Sequence, residues 1–262
     1  MTTWLRIFFI GGAVSFRALF AWIRPSVYIP TLLIGPTTQI LFFAYLGRTA
    51  HLESDDWFVV GNAVQSASLA ALFGMGFAID GERWTQTLSA VLATPASRAA
   101  LFLGRAGPVL VNAAITAATG FVGGAIFLGF SMPWSSVPAM LFLLLVASFA
   151  CTGLGMVTGA VGLRMRDVPI LANFAMAVLL IFCGVNVPLD TLPGWMNAIA
   201  QWLPVTHAIE AAREVATGAS LSTVRSDVAA ELALGVGYLA LGLFLIRFFE
   251  REGRRRGTLD RA

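Results

Sequence analysis

A long stretch without ionisable side chains constrains the fold more than any other feature of this sequence. Residues 107–163 include no Asp, Glu, Lys, Arg or His, and about 20 consecutive apolar residues suffice for one transmembrane helix. Soluble domains are typically about one quarter charged, whereas this chain has 12% charged and 58% hydrophobic residues. The sequence therefore predicts an all-α polytopic membrane protein and argues against a soluble domain.

Six apolar segments of spanning length are predicted within a single transmembrane domain over residues 1–262. They are separated by an acidic loop at 48–56, a polar segment over 80–106, a turn at 131–136, a break at 164–167 and a Pro- and Trp-containing segment over 188–226. The predicted spans cover about 27–46, 57–79, 107–130, 137–163, the residues after 169 to about 187, and 228–249.

The N-terminal segment, residues 1–26, is predicted to be an amphipathic helix in the membrane interface. Arg6, Arg17 and Arg24 fall on one face of such a helix, and the remaining faces are apolar. The segment between the first two arginines is too short to cross a bilayer. A tilted span with snorkelling arginines is the alternative. Pro25 and Pro30 are expected to close this segment.

The distribution of arginine predicts the orientation, because basic residues near spans favour the cytoplasmic side. All 17 basic residues are arginine. With six spans and a cytoplasmic N-terminus, only Arg48, Arg213 and Arg225 lie outside, and the reverse orientation inverts that bias. We expect both termini in the cytoplasm.

The absence of lysine removes one class of function from this chain. The phosphate-cradling loop of P-loop nucleotide hydrolases requires a lysine, and this sequence has none. Gly155 and Gly159 lie inside a predicted span, where small residues permit close helix approach, and we expect them to pack within the subunit. Cys151 and Cys183 lie in apolar runs without metal-ligand spacing. No catalytic residue, metal site or cofactor is expected in this chain.

The polar segment over 80–106 contains a pattern typical of a docking helix. Its apolar side chains recur at helical spacing, at Trp84, Leu88, Val91 and Leu92. Thr94 and Pro95 then end the helix. A short surface helix with a bulky apolar edge requires a partner surface.

At this segment the sequence resembles the permease subunits of the ABC-2 family of ATP-driven exporters. The corresponding loop of that family typically reads Glu-Arg, Gly-Thr-Leu-Glu, two apolar residues and Thr-Pro, and this chain matches it in order at Glu82, Arg83, Thr87, Leu88, Val91, Leu92, Thr94 and Pro95. Gln86 stands where Gly is usual, and Ser89 stands where Glu is usual. The segment before the sixth span resembles the family's outer re-entrant region at Pro188, Leu189, Pro193, Trp195, Pro204, His207 and Arg213.

The resemblance implies a permease subunit of a bacterial exporter in the inner (cytoplasmic) membrane. It implies pairing with a second copy or a sister permease, and with two copies of a cytoplasmic ATPase that hold ATP and Mg²⁺. The matching loop residues, together with Trp84, would couple to that ATPase. The outer segment, with Glu210 added to the matching residues, would contribute to an outer gate. Membrane lipids are expected partners, and nucleic acid is not.

Polar residues inside the predicted spans are candidates for a substrate path. Asn62, Gln65, Ser66 and Ser68 cluster in the second span, and Asn173 lies in the fifth. Such side chains face other protein groups or a water-filled cavity. Lining the path and hydrogen bonding to another helix both remain open for them.

One face of a helix in the outer segment carries four ionisable side chains. His207, Glu210, Arg213 and Glu214 share this face, and we expect a structural charge-pair network there rather than a hydrolytic site. His-x-x-Glu lacks the second histidine of a zinc-binding helix, so no metal site is expected.

The apolar spans favour a hydrophobic drug-like or lipid-like substrate. A lipo-oligosaccharide or polysaccharide remains an alternative. A membrane-embedded transferase would need acids, bases or nucleophiles clustered at one membrane depth. A channel or ion-coupled carrier would place ionisable residues or broken helices at mid-membrane. The nearly charge-free spans make both of these rivals less favoured.

Overall fold

The computed structural model describes residues 25–84, 98–165 and 167–256, and within them it contains helices and connecting turns but no strand. The described α-helices are α1 (Pro25–Ala50), α2 (Asp55–Trp84), α3 (Arg98–Leu128), α4 (Val137–Met165), α5 (Val168–Phe182), α6 (Gly194–Ala200), α7 (Thr206–Ala216) and α8 (Arg225–Arg256). Two short 3₁₀-helices, Trp134–Ser136 and Leu189–Thr191, precede α4 and α6.

Four helices of the described chain are long and apolar enough to cross a membrane. These candidate spans, which belong to α2, α3, α4 and α8, cover Asp55–Gly81, Gly104–Leu128, Trp134–Gly162 and Arg225–Phe249. They support the multi-pass helical prediction. The helix α5 is apolar but has only 15 residues, and α1 is not among the four. The count of six spans therefore stays a prediction.

The helix α2 lies at the centre of the bundle. In its candidate span 78% of the residues are buried, compared with 17% for α8, and it contacts α1, α3, α4, α5 and α7. It approaches α4 closely at Gly155, where a Cβ atom would stand 2.5 Å from the Leu72 carbonyl oxygen. A Cβ atom at Gly159 would lie 2.7 Å from Ile79 Cδ1. Both glycines thus pack within the subunit, as the sequence predicts.

The start of α1 differs from the sequence prediction. The predicted end of the interfacial helix at residue 26 falls inside α1, because this helix begins at Pro25 and continues through Pro30 and Pro36. Proline is tolerated in the first turn of a helix, and neighbouring groups can satisfy the freed backbone carbonyls deeper in a membrane helix. The predicted interfacial helix itself, over 1–24, lies outside the described residues.

The polar segment predicted over 80–106 is helical at both ends. The helix α2 continues to Trp84 and α3 begins at Arg98, because a helix satisfies its own backbone and need not end at the membrane surface. Arg105 Nη1 donates to the Ala78 carbonyl oxygen at 2.8 Å, which joins these two ends. The docking pattern over 85–97 lies outside the described residues, as do the side chains of Glu82, Arg83 and Trp84.

The outer segment begins earlier than the sequence predicts. The helix α5 ends at Phe182 rather than near residue 187, because Gly184 adopts a left-handed conformation with φ +69°. Two short α-helices, α6 and α7, then occupy the segment predicted over 188–226. The re-entrant arrangement of this segment and its depth in the membrane stay predictions.

Candidate functional site

A buried cluster of polar side chains lies on the central helix. Asn62, Gln65 and Ser68 of α2 are fully buried, and Ser66 is 7% exposed. Ser68 Oγ donates to the Val64 carbonyl oxygen one turn earlier. These side chains lie in a core that is otherwise built largely from apolar side chains. The four polar residues predicted in this span therefore face protein rather than lipid.

Two further amides, from other parts of the chain, join this cluster. Gln39 Nε2 of α1 donates to Asn62 Oδ1 at 3.0 Å and to Gln65 Oε1 at 3.3 Å. Asn62 Nδ2 donates to Asn186 Oδ1 at 2.9 Å and to the Phe58 carbonyl oxygen. This amide network, Gln39–Asn62–Gln65–Asn186, links α1 and α2 to the connection that follows α5.

Several buried polar atoms of this region lack a partner. Gln65 Nε2, Ser66 Oγ and Asn186 Nδ2 have no hydrogen-bond partner among the described residues. Leaving such a group unsatisfied costs about 1–3 kcal/mol, so buried polar groups without a partner indicate a place where another molecule can bind. The amide network can therefore hydrogen-bond water or another molecule.

Arg213 ties α7 to the centre of the bundle. Its Nη2 donates to the carbonyl oxygens of Gly184 and Val185 at 2.9 and 3.1 Å, and its Cζ lies 3.4 Å from the centroid of the Trp57 ring. A Cβ atom at Gly61 would stand 2.7 Å from Arg213 Nη2, so this glycine makes room for the guanidinium. Burial lowers the pKa of Arg213 to about 9, against the effects of Glu210 and Glu53, and the side chain stays protonated at neutral pH.

Glu231, a fully buried carboxylate of α8, caps the start of α7. Val205 precedes α7 with φ +83° and provides no side-chain cap. Glu231 Oε1 accepts from the Val205 amide at 2.6 Å, and Oε2 accepts from the Ala208 amide at 3.3 Å. An anion at a helix N-terminus satisfies free amides and complements the helix dipole. This contact fixes α7 against the last candidate span.

His207 and Glu210 of α7 meet Asp227 from the first turn of α8. Ligand-type atoms of these three partly buried side chains all lie within 4.8 Å of one another, and His207 Nδ1 is 3.7 Å from Asp227 Oδ1. Burial, and then the charge of Asp227, raise the pKa of Glu210. We call these three residues the α7–α8 acceptor cluster.

The charge-pair network predicted on α7 forms only in part. In the part of the chain that the structure describes, Arg213 makes the contacts above and no ion pair with Glu210 or Glu214, and Glu214 is exposed. The partner of His207 is Asp227, which comes from another helix. Spacing along one helix could not indicate these partners.

The remaining predicted site residues are dispersed. Asn173 is exposed on α5 and bonds to the Pro169 carbonyl oxygen of its own helix, so it is not part of the amide network. Pro188 and Pro193 precede the 3₁₀-helix Leu189–Thr191 and α6. Trp195 is 62% exposed and contacts Phe182 edge to face, and the Leu189 carbonyl oxygen accepts from Asn197.

The sequence analysis missed four residues of this region: Gln39, Asn186, Asp227 and Glu231. Glu231 lies inside a predicted span, and an ionisable residue within a span is by itself an indication of a functional or structural site. Gln39 is an uncharged polar residue inside a predicted span, so it is a weaker indication of the same kind. Asn186 gives none, because it falls at the end of an apolar run.

Comparison with known proteins adds an independent finding. A family model described as ABC-2 type transporter matches residues 12–216. A daunorubicin resistance ABC transporter permease protein of Streptomyces coeruleorubidus is 25% identical over 209 residues, which cover 77% of this chain and 73% of that protein. A probable doxorubicin resistance ABC transporter permease protein of Mycobacterium tuberculosis is 28% identical over 217 residues, covering 77% of this chain and 75% of that protein.

Proposed function

Because this chain belongs to the ABC-2 type transporter family, we propose that it exports a hydrophobic drug-like or lipid-like molecule with energy from a separate ATPase. The family and the two drug-resistance relatives support the broader assignment, a multi-pass membrane permease of an ABC exporter. The substrate class and the energy source are the parts that we propose. The relatives' names refer to daunorubicin and doxorubicin resistance, and this supports a drug-like substrate here.

The amide network carries the proposal about the substrate path. Gln39, Asn62, Gln65 and Asn186 bring neutral polar groups into an apolar bundle, and two of these amides retain unpartnered donors. A mostly apolar molecule with a few acceptor groups could satisfy these donors without burying a charge. Ser66 would add a hydroxyl to the same path. Asn173 lies outside the amide network, and its exposed side chain on α5 stays a candidate for a part of the path that a second permease would complete.

The energy source is proposed to be a cytoplasmic ATPase pair that binds ATP and Mg²⁺. The chain lacks the lysine of a phosphate-cradling loop, and the ABC-2 family implies an ATPase partner. The proposed contact is the apolar edge around Leu88, with Glu82, Arg83, Trp84, Thr87, Val91, Leu92, Thr94 and Pro95. A second copy or a sister permease would complete the pathway, and lipids would surround the pair.

The proposed orientation places both termini in the cytoplasm of a bacterium and the α6–α7 region outside. In this orientation the amide network and the contacts of Arg213 lie beneath the outer helices. Pro188, Leu189, Pro193, Trp195, His207, Glu210 and Arg213 then belong to an outer gate. Movement of α7 relative to α2 and α8 would open this gate, as an element with two discrete arrangements.

Copurification of the tagged chain with the ATPase encoded nearest to it tests the energy source. We expect the ATPase to elute with the wild-type chain and to be lost from Leu88→Asp, because that charge falls on the predicted apolar edge. Ser89→Asp is the matched control, since it adds the same charge beside the edge at a position where related permeases carry glutamate. ATPase activity in lipid nanodiscs should follow the same order.

Each result of this experiment refers to one part of the proposal. If no nucleotide-binding subunit copurifies under gentle conditions, the ATP-driven mechanism is wrong. If Leu88→Asp retains the ATPase as well as Ser89→Asp does, the contact surface is wrong and the exporter assignment stands. Stimulation of the ATPase by lipo-oligosaccharide and not by hydrophobic dyes would contradict the proposed substrate class.

A further inference from the structure

The α7–α8 acceptor cluster brings one imidazole and two carboxylates together, and all three are groups that can bind a metal ion. His207 and Glu210 lie one turn apart on α7, and Asp227 faces them from the first turn of α8. The side chains of His207 and Asp227 are only 13% and 29% exposed. Among the described residues, no hydrogen bond to the Glu210 or Asp227 carboxylate is formed.

The ring nitrogen Nδ1 of His207 faces the cluster. His207 Nε2 lies 3.3 Å from the Gln201 carbonyl oxygen, which can only accept, so Nε2 carries a proton. Nδ1 lies 3.7 Å from Asp227 Oδ1, and it is the nitrogen that a metal ion could bind in place of a proton. Metal-binding histidines typically donate their other ring N–H to a carbonyl or carboxylate in this way.

The charge of Arg213 acts on Glu210 and lowers its pKa, but no arginine of the described residues forms an ion pair with the Glu210 or Asp227 carboxylate. Arg213 is the nearest candidate by position on α7, but its guanidinium bonds to Gly184 and Val185 and stacks on Trp57. The Glu210 and Asp227 carboxylates, which face each other in a partly buried site, repel one another. A bound cation would remove this repulsion.

From this geometry we propose that His207, Glu210 and Asp227 bind a divalent transition-metal ion of the Zn²⁺ class. One imidazole nitrogen and two carboxylate oxygens suit such an ion, with a fourth position left for water. Ligand atoms about 2.0–2.2 Å from Zn²⁺ stand about 3.5 Å apart in a tetrahedral site. The atoms here lie within 4.8 Å, so rotations of the three side chains would complete the site.

The bound ion would join α7 to α8. Two of its ligands belong to the short outer helix, and the third belongs to the last candidate span. Ion binding would therefore restrain α7 relative to α8. The site does not depend on the proposed export function, because its binding can be measured without transport.

A direct test uses the full chain in lipid nanodiscs, purified through an affinity tag without histidines. We expect Co²⁺ to bind with one equivalent per chain and to give the visible absorption of a low-symmetry nitrogen and oxygen site, and we expect Zn²⁺ to displace it. Asp227→Asn and His207→Gln should each weaken Zn²⁺ binding at least about tenfold. Glu214→Gln, an exposed change on the same helix, should leave binding unchanged.

A second readout separates binding from loss of the fold. Zn²⁺ should raise the Tm of the wild-type chain and of Glu214→Gln, EDTA should reverse the shift, and Asp227→Asn should show none. Circular dichroism confirms that the variants are folded, and Glu210→Gln replaces any variant that is not. Absence of stoichiometric Co²⁺ binding in the wild type would overturn the proposal. Equal Zn²⁺ affinity in wild type and Asp227→Asn would overturn it as well.

Discussion

Glu231 offers the sharpest test of how α7 is held in the bundle. Its two carboxylate oxygens accept the amides of Val205 and Ala208 at 2.6 and 3.3 Å, and the side chain is fully buried. Glu231→Gln keeps the length and volume but replaces one acceptor oxygen with a donor group, which faces an amide that also donates. A hydrogen bond to a charged group contributes about 1.5–3 kcal/mol, and Glu231→Gln should lose about this amount of stability.

Glu231→Ala should be the more damaging change. It removes both acceptors and leaves two buried amides without partners, so we expect a loss of about 3–6 kcal/mol, twice the loss for the glutamine variant. For a chain of this size about 1 kcal/mol corresponds to about 2–4 °C in Tm. Glutamine should thus lower the Tm by about 3–12 °C, and alanine by more.

Thermal unfolding in lipid nanodiscs, followed by tryptophan fluorescence, measures these shifts. Glu214→Gln is the matched control, because it makes the same chemical change at an exposed position of α7, where surface substitutions alter stability by about 0.5 kcal/mol or less. If Glu231→Gln unfolds at the temperature of Glu214→Gln, the carboxylate does not cap α7. If Glu231→Gln is as damaging as Glu231→Ala, hydrogen bonding at both amides is not the cause.

Two further predictions concern packing and charge. Gly155→Ala should destabilise the chain by about 1–2 kcal/mol, because its Cβ atom would stand 2.5 Å from the Leu72 carbonyl oxygen. Gly237→Ala is the control: a Cβ atom there would have nothing within 4 Å, so this change should be neutral or stabilising in the same melting experiment. Arg213→Lys should lower the stability by about 1–3 kcal/mol although it keeps the charge, because lysine lacks the planar group that lies over the Trp57 ring. If its Tm equals that of Arg225→Lys, an exposed control, this reasoning is wrong.

The features that could be predicted from the sequence are those set by local composition. The candidate span in α4 is an uninterrupted apolar run, and its predicted range of 137–163 lies within the observed Val137–Met165. The family was also predicted, from the pattern between Glu82 and Pro95, and the match over residues 12–216 confirms it. The end of α5 was misplaced, because the left-handed conformation of Gly184 leaves no mark in an apolar run.

The polar contacts around α7 could not be predicted, because their partners are distant in sequence. Glu231 belongs to α8 but caps the start of α7, 26 residues earlier in the chain. Arg213 donates its hydrogen bonds to the backbone carbonyl oxygens of Gly184 and Val185. Backbone acceptors have no sequence signature. The face-sharing rule for helices correctly brings His207 and Glu210 together, but it cannot indicate Asp227, which comes from α8.

The contacts of α7 have one further consequence for how an outer gate could move. Besides its buried apolar face, α7 has three polar attachments: the Glu231 cap, the Arg213 contacts, and the approach of His207 to Asp227. Glu231 and Asp227 belong to α8, whereas Arg213 holds α7 to Trp57 of α2 and to the end of α5. A displacement of α8 relative to α2 would therefore have to break one of these two sets of contacts, because α7 is attached to both helices.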